Sequence, residues 1–219
     1  MRPLGIRGLS VTMPHKEDVI SACDELTKSA RRLNAVNHLT NSDGVIVGNN
    51  TDGDGFVLGF EHVTGEQIEG RRIAVFGSGG AARAIIEACA RAGASGVDVI
   101  ARSPERASVA AVLAGPAGRV TSVDALSNAD VAVNATPVGM LETAAADAVP
   151  FEVGALSSSA IVVDIVYNPL ETRLLANARR RGLRVVDGLA MLAGQASAQF
   201  ATWTGVEPPL AVMMAAAHD

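Results

Sequence analysis

Three short clusters in the first quarter of the chain carry more polar groups than ordinary connections need. They are Ser10-Val11-Thr12-Met13-Pro14-His15-Lys16, Asn34-Ala35-Val36-Asn37 and Gly48-Asn49-Asn50-Thr51-Asp52-Gly53. Each follows or overlaps an apolar run that reads as a strand, and ligand sites of open α/β sheets gather at strand ends. Together they offer hydroxyls, an ammonium, amides and a carboxylate. That set can bind a polyhydroxylated small molecule and move a proton, with Lys16 and Asp52 as the acid/base candidates. Each cluster alone also has a plainer reading as a solvated lysine, a turn or a helix cap.

A second constellation lies further along. Arg72-Ile73-Ala74-Val75-Phe76 runs into Gly77-Ser78-Gly79-Gly80-Ala81-Ala82 and then into a helical pattern. This is the G-x-G-x-x-G/A form that holds a dinucleotide. Gly77 permits the tight turn, Gly79 lets backbone approach a pyrophosphate, and Ala82 lets the helix lie close on the strand. The helix start offers free N–H groups to the phosphates. At the end of the next strand an NAD site usually carries an acid for the ribose hydroxyls. Here stands Ala101-Arg102-Ser103-Pro104-Glu105-Arg106. Arg102 and Arg106 can flank a 2′-phosphate and Ser103 can donate to it, which favours NADP, although both arginines also suit water. Asp98 sits too early in its strand to serve the ribose.

The elements that must position these groups follow from hydrophobic patterning. Strands are expected at Gly8–Thr12, Ala35–Leu39, Val45–Gly48, Arg72–Phe76, Gly96–Ile100, Val131–Asn134, Ile161–Asp164 and Arg184–Val186. Helices are expected at Ala81–Arg91, Glu105–Leu113 and Leu170–Arg180. The alternation predicts an α/β protein with a Rossmann-like, doubly wound parallel sheet from about residue 70 to 187. Before it, a strand, a helix near Glu17–Ser29 and a hairpin turning at Asn41-Ser42-Asp43-Gly44 predict a smaller α/β unit. Helices Leu189–Thr202 and Pro209–Ala216 suit either unit. The division expected is 1–52 with 188–219 for substrate and 53–187 for the dinucleotide.

Composition limits the partners. Of 219 residues 48% are hydrophobic and 19% charged, enough for a packed core, and seven aromatics leave that core to aliphatic side chains. A net charge of -5 gives no basic field for nucleic acid or an anionic membrane. The N-terminus lacks the apolar stretch of a signal peptide, and the run Leu210–Ala217 is too short to cross a bilayer. Cys23 and Cys89 show no metal or redox spacing and read as small buried hydrophobes. His15, His38, His62 and His218 form no motif and read as surface or supporting groups, with no metal site. A soluble, cytoplasmic monomer or homodimer acting on a small molecule is expected.

Seven blocks, in order along essentially the whole chain, resemble the shikimate dehydrogenase family. They are Gly8–Lys16, Asn34–Asn37, Asn50–Gly53, Gly77–Ala84, Asn134–Met140, Asp164–Pro169 and Asp187–Gln195. The resemblance implies NADP-dependent, reversible reduction of 3-dehydroshikimate to shikimate in aromatic amino-acid biosynthesis. It implies Lys16 as the catalytic lysine and Asp52 as its carboxylate partner. It implies Thr12, Asn37, Tyr167 and Gln195 as substrate hydrogen-bonders. Gly77, Ser78, Gly79, Gly80 and Ala81 would hold the pyrophosphate, and Arg102, Ser103 and Arg106 the 2′-phosphate. Ile165, Gly188 and Met191 would lie near the nicotinamide. Tyr167 is the only tyrosine, and its phenol reads as aimed at a ligand, with burial against backbone as the alternative. Gln195 lies among small residues, where a buried amide needs partners and a substrate hydroxyl is one.

The chain departs from the family pattern at its beginning. The family's opening strand–helix–strand–helix stretch, about 60 residues at roughly 30 per unit, does not precede Gly8. That stretch carries a serine motif for the substrate carboxylate, and Ser10 stands where the family often has Asn. Weaker substrate binding, an open sheet edge and poor stability of the 219-residue chain are therefore expected, whether it is a truncated reading or a natural short form. A catalytically weak or silent NADP-binding module, and a quinate/shikimate dehydrogenase, are the alternative functions.

Overall fold

The β-branched runs become strands of two separate sheets in the computed structural model, which describes residues 1–141 and 143–218. The first contains β1 (Gly8–Ser10) and β2 (Glu25–Leu26), then, after helix α1 (Lys28–Leu33), β3 (His38–Ser42) and β4 (Val45–Asn49). Its order is β1-β3-β4-β2. Pairing of Ser42 with Val45 leaves a two-residue loop, Asp43-Gly44, with φ of 52° and 91°. Two left-handed residues in succession make the type I′ hairpin that Asp-Gly favours.

The helix expected over Glu17–Ser29 does not form. A short 3-10 turn, Asp18–Ala22, precedes β2, and α1 starts only at Lys28. The reason is competition from β4. Asp24 and Thr27 donate their N–H groups to Ile46 and Gly48, at 2.9 Å each, and this extended pairing interrupts the helical pattern. Thr27 then caps α1, its Oγ1 accepting from Ala30 N at 3.2 Å. The strand expected at Ala35–Leu39 begins instead at His38, and β1 stops at Ser10. Val11 N donates to Asn37 O at 2.8 Å beyond that point, so the chain stays tied across the end of the sheet.

Next comes α2 (Asp52–Thr64), followed by the alternating part: β5 (Arg72–Phe76), α3 (Gly80–Arg91), β6 (Gly96–Ile100), α4 (Pro104–Val112), β7 (Gly118–Val120), β8 (Val131–Asn134), β9 (Ile161–Asp164), α5 (Arg173–Arg180) and β10 (Arg184–Val186). Helices α6 (Gly188–Thr204) and α7 (Leu210–His218) close the chain. The six strands are all parallel in the order β10-β9-β8-β5-β6-β7. Strand order reverses between β5 and β8, and ligands of such sheets bind outside the carboxyl ends at that reversal. Side-chain alternation fills both faces. Ile73, Val75, Val131 and Val133 join one core with Ile85, Ile86 and Phe56. Ala74, Phe76, Ala132 and Val162 join the other with Leu174 and Leu175.

Helix α2 is not among the helices expected above, and Gly53, Gly55 and Gly59 are poor helix formers. Their value is tertiary. A Cβ on Gly55 would lie 2.3 Å from Gln195 N, and one on Gly194 would lie 2.3 Å from Gly55 O. The two backbones therefore touch where α2 crosses α6. Helix α6 also reaches the small sheet, where Trp203 donates to Leu39 O at 3.1 Å. Its ring meets that of His38 edge-on with centroids 5.1 Å apart. His38 is thus buried and not at the surface, while His15 and His62 are exposed. The side chain of His218 lies outside the described residues. Cys89 is fully buried, but Cys23 only partly, its thiol donating to Val19 O at 3.4 Å. No helix among the described residues is long and apolar enough to cross a membrane.

Candidate active site

Lys16 and Asp52 meet across 36 residues of sequence, Nζ donating to Oδ2 at 2.5 Å. Two elements make this possible. Lys16 lies on the connection after β1, pinned at its carbonyl by Val36 N at 2.7 Å. Asp52 is the first residue of α2, where a carboxylate suits the positive end of the helix. Its own N–H donates to Asn50 Oδ1 at 3.0 Å. Asp52 is 3% exposed, so its charge is committed to named partners: Lys16 on one oxygen and Asn37 Nδ2, at 2.8 Å, on the other.

Asn37 extends the pair into an amide network. Its Oδ1 accepts from Thr51 N at 2.8 Å, and its Nδ2 reaches Gln195 Oε1 at 3.4 Å. Gln199, one turn after Gln195 on α6, donates to Gln195 Oε1 at 2.6 Å and to Asn37 O at 3.3 Å. Its own Oε1 accepts from the Ser10 hydroxyl. The sequence-based site therefore lacked Gln199 as a member and Ser10 as its partner. The signal was present: two glutamines four apart share a helix face, and a fully buried Gln needs partners. The Gln195 amide has protein partners of its own, because Nε2 also donates to Leu192 O at 3.0 Å.

Thr12 and Tyr167 stand apart from this network. Thr12 is exposed. Tyr167 is 52% exposed and its phenol has no hydrogen bond among the described residues, so the alternative of a buried, backbone-satisfied tyrosine does not hold.

At the reversal of the large sheet, Gly77 has φ of 124° and donates to Ile100 O at 2.9 Å. A Cβ there would lie 2.6 Å from Ala135 O, so only glycine fits between the ends of β5 and β8. A Cβ on Gly79 would meet nothing within 4 Å. Gly79 is the N-cap of α3 and no side chain among the described residues caps that turn. Uncapped N–H groups facing open space fit a pyrophosphate. Beside them lies a cavity of about 170 Å³ lined by Ser78, Arg83, Glu105, Arg106 and Val109. Ser103 caps α4, its Oγ accepting from Arg106 N at 3.3 Å and donating to Glu105 Oε2 at 2.9 Å. That hydrogen bond helps hold the Glu105 carboxyl below its usual range, after the larger effect of the residue's own backbone N–H. Arg102 and Arg106 are exposed and form no ion pair among the described residues. Asp98 is fully buried and faces Arg72 and Arg119 instead of the cavity.

The loops over the β8 and β9 ends are shaped by Asp164. Its carboxylate accepts from Thr172 Oγ1 at 2.7 Å, Asn134 Nδ2 at 2.9 Å and Val166 N at 3.1 Å. Burial pushes its pKa up to about 6 against the opposing pull of those three donors. Gly188 packs under the same loop, where a Cβ would lie 2.5 Å from Ile165 O. Ile165 packs on the core that contains Met191. A wider groove of about 450 Å³ along α2 and α6, lined by Leu58, Ser197, Ala198, Ala201, Thr202 and Glu207, contains none of the candidate catalytic groups.

Comparison with known proteins places the chain in a family. Residues 1–39 match the shikimate dehydrogenase substrate binding domain. Residues 188–218 match the shikimate 5'-dehydrogenase C-terminal domain. Residues 72–168 match a family described as NADP oxidoreductase, coenzyme F420-dependent. The shikimate dehydrogenase (NADP(+)) of Moorella thermoacetica is 42% identical over 97% of this chain and 75% of its own length. The Thermus thermophilus shikimate 5-dehydrogenase, solved with NADP(H) and shikimate, superposes with a TM-score of 0.87 at 36% identity, covering 98% of this chain and 79% of that one. A quinate dehydrogenase from Corynebacterium glutamicum, solved with NAD, gives 0.84 at 33% identity, covering 97% and 78%.

Proposed function

The chain belongs to the shikimate dehydrogenase family, and from that premise we propose how its own residues divide the work of an NADP-dependent oxidoreductase that interconverts 3-dehydroshikimate and shikimate. The observation that carries the reading is the Lys16–Asp52 pair, 2.5 Å apart and backed by Asn37. Bound NADPH supplies the hydride for the C3 carbonyl carbon. Lys16 Nζ donates the proton to the C3 oxygen in reduction and removes it from the hydroxyl in oxidation. Asp52 holds that amine in place and balances its charge. Asn37 and Gln195 present amide groups to the substrate's hydroxyls, with Thr12 and Tyr167 as further donors from the exposed side. Ser78 and the first turn of α3 take the pyrophosphate, and Arg102, Ser103 and Arg106 take the 2′-phosphate. Ile165, Gly188 and Met191 form the apolar wall at the reacting ring.

In this reading residues 1–52 with 188–219 hold the substrate and residues 53–187 hold the cofactor. The two free thiols suit a reducing cytoplasm, and the unit is a monomer or homodimer. The test is NADP reduction by the purified chain with excess shikimate. Turnover that falls at least about a thousandfold in Lys16→Ala, with NADPH binding retained, is expected for a group that carries the proton. Turnover that survives in Lys16→Ala, or is absent from the wild-type chain, refutes the assignment. Replacing shikimate by quinate and NADP by NAD in the same assay tests specificity, and the two arginines favour NADP.

A further inference from the structure

We propose that Arg83 is a positioning residue that couples the bound dinucleotide to Lys16, acting through Glu17; the inference rests on the dinucleotide and lysine roles given above. Glu17 directly follows Lys16 in the chain. Its Oε1 accepts from Arg83 Nη2 at 2.6 Å, across 66 residues of sequence. Arg83 lies in the first turns of α3, just beyond the glycine turn, and lines the same small cavity as Ser78 and Arg106. One guanidinium therefore borders the cofactor's phosphate region and holds the neighbour of the catalytic lysine.

The state of that guanidinium supports a second partner. Its Nε is buried and has no hydrogen-bond acceptor among the described residues. The side chain is 15% exposed, against 55% for Glu17. A pair whose carboxylate is this exposed is screened by water and adds little to stability, which leaves its location as the informative feature. A guanidinium offers five N–H donors in a rigid fork. With one Nη2 donor on Glu17, others are free for a phosphate oxygen, and a charge-assisted bond there does not displace the first.

Lys16 is otherwise held, among the described residues, by Val36 N on its carbonyl and Asp52 on its amine. Glu17 supplies a direct side-chain contact from the Lys16 segment to the helix that opens the dinucleotide site. A phosphate that immobilises Arg83 thereby restrains the segment that presents Lys16. Ordering paid for by one ligand need not be provided again by the other, which makes the two bind cooperatively. The linkage is reciprocal: substrate on Lys16 tightens NADPH by the same factor.

The test is amide hydrogen exchange over residues 15–22 of the full chain, with and without NADPH, in wild type, Glu17→Gln and Arg83→Lys, alongside fluorescence titration of NADPH. The wild type should show NADPH slowing this segment about fivefold or more. Glu17→Gln should bind NADPH as tightly as wild type yet lose the slowing. Arg83→Lys, which keeps the charge but not the fork, should retain only part of it. In turnover, Glu17→Gln should lower kcat roughly three- to tenfold and raise the KM for NADP at saturating shikimate by about the same fivefold factor, and Glu17→Gln combined with Arg83→Gln should be no worse than Arg83→Gln alone. Slowing that persists in Glu17→Gln, or additive losses in the double variant, would overturn the coupling. Wild type that binds NADPH without slowing the segment overturns the coupling alone. Wild type that does not bind NADPH overturns the dinucleotide reading and the coupling with it.

Discussion

Asp52 makes each of its polar atoms count: one carboxylate oxygen takes Lys16, the other Asn37, and the backbone N–H goes to Asn50. Removing its charge while keeping its shape isolates the electrostatic part. Asp52→Asn should lower kcat by about 10²–10³, within the range of positioned acid/base groups, and a thermal melt should show the fold intact. An unchanged kcat would exclude Asp52 as the partner of Lys16. Cofactor choice also sits at this scale. Arg102→Ala and Arg106→Ala should each raise the KM for NADP about tenfold, the worth of a single charge-assisted hydrogen bond to phosphate. The KM for NAD should stay within twofold, because NAD carries no 2′-phosphate. Equal effects on both cofactors would place these arginines elsewhere than at the 2′-phosphate.

The crossing of α2 over α6 sets the distance between Asp52 and Gln195, since each helix carries one of them. Gly55 and Gly194 are the contact. Gly55→Ala would ordinarily favour a helix, yet here the new methyl carbon meets backbone at 2.3 Å, and backbone cannot turn aside as a flexible side chain can. The helices must separate. The expected cost is about 2–3 kcal/mol of overpacking, which for a chain of this length lowers Tm by roughly 4–12 °C. The KM for shikimate should rise in the same variant as Gln195 moves away from Asn37. A Tm at or above that of wild type would show that the crossing is looser than these contacts imply.

At the scale of the whole molecule, the small sheet has a thin core, Ala30, Val36, Leu39 and Ile46, and leans on α6 through Trp203 and His38. His38 is buried with no partner for Nδ1 among the described residues, and burial lowers its pKa from 6.5 to about 4. The unfolded chain then binds the extra proton between those values. Neutral His38 contributes stability in full above pH 6.5, and that contribution fades as pH falls towards 4. By linkage this amounts to roughly 3 kcal/mol. Asp164 works in the opposite sense over part of the window. Its folded pKa of about 6 lies above the ordinary 3.8, so its contribution is greatest at low pH and is lost as pH rises from 4 to 6. Denaturant melts from pH 7 to 4 should therefore show a shallower acid loss in His38→Gln and a steeper one in Asp164→Asn. Identical slopes in all three proteins would refute both assignments.

Local pattern was sufficient wherever a residue's neighbours in sequence decide its structure. Arg72–Phe76, Gly96–Ile100, Val131–Asn134, Ile161–Asp164 and Arg184–Val186 are strands with the expected limits, because buried parallel strands are continuous β-branched runs. The glycine turn and the Asp-Gly hairpin were legible because positive φ selects glycine at fixed places. The helix that fails between Glu17 and Ser29, the helix that forms despite three glycines, the Gln199–Ser10 bond and the Arg83–Glu17 pair were not. Each depends on a partner 21 to 189 residues away. The sequence by itself determined which residue types were on offer for the chemistry and which runs form the parallel sheet behind the glycine turn. Only the tertiary structure decided which of those residues meet, because hydrogen bonds and backbone contacts act over a few ångströms of space, and chain separation does not encode that distance.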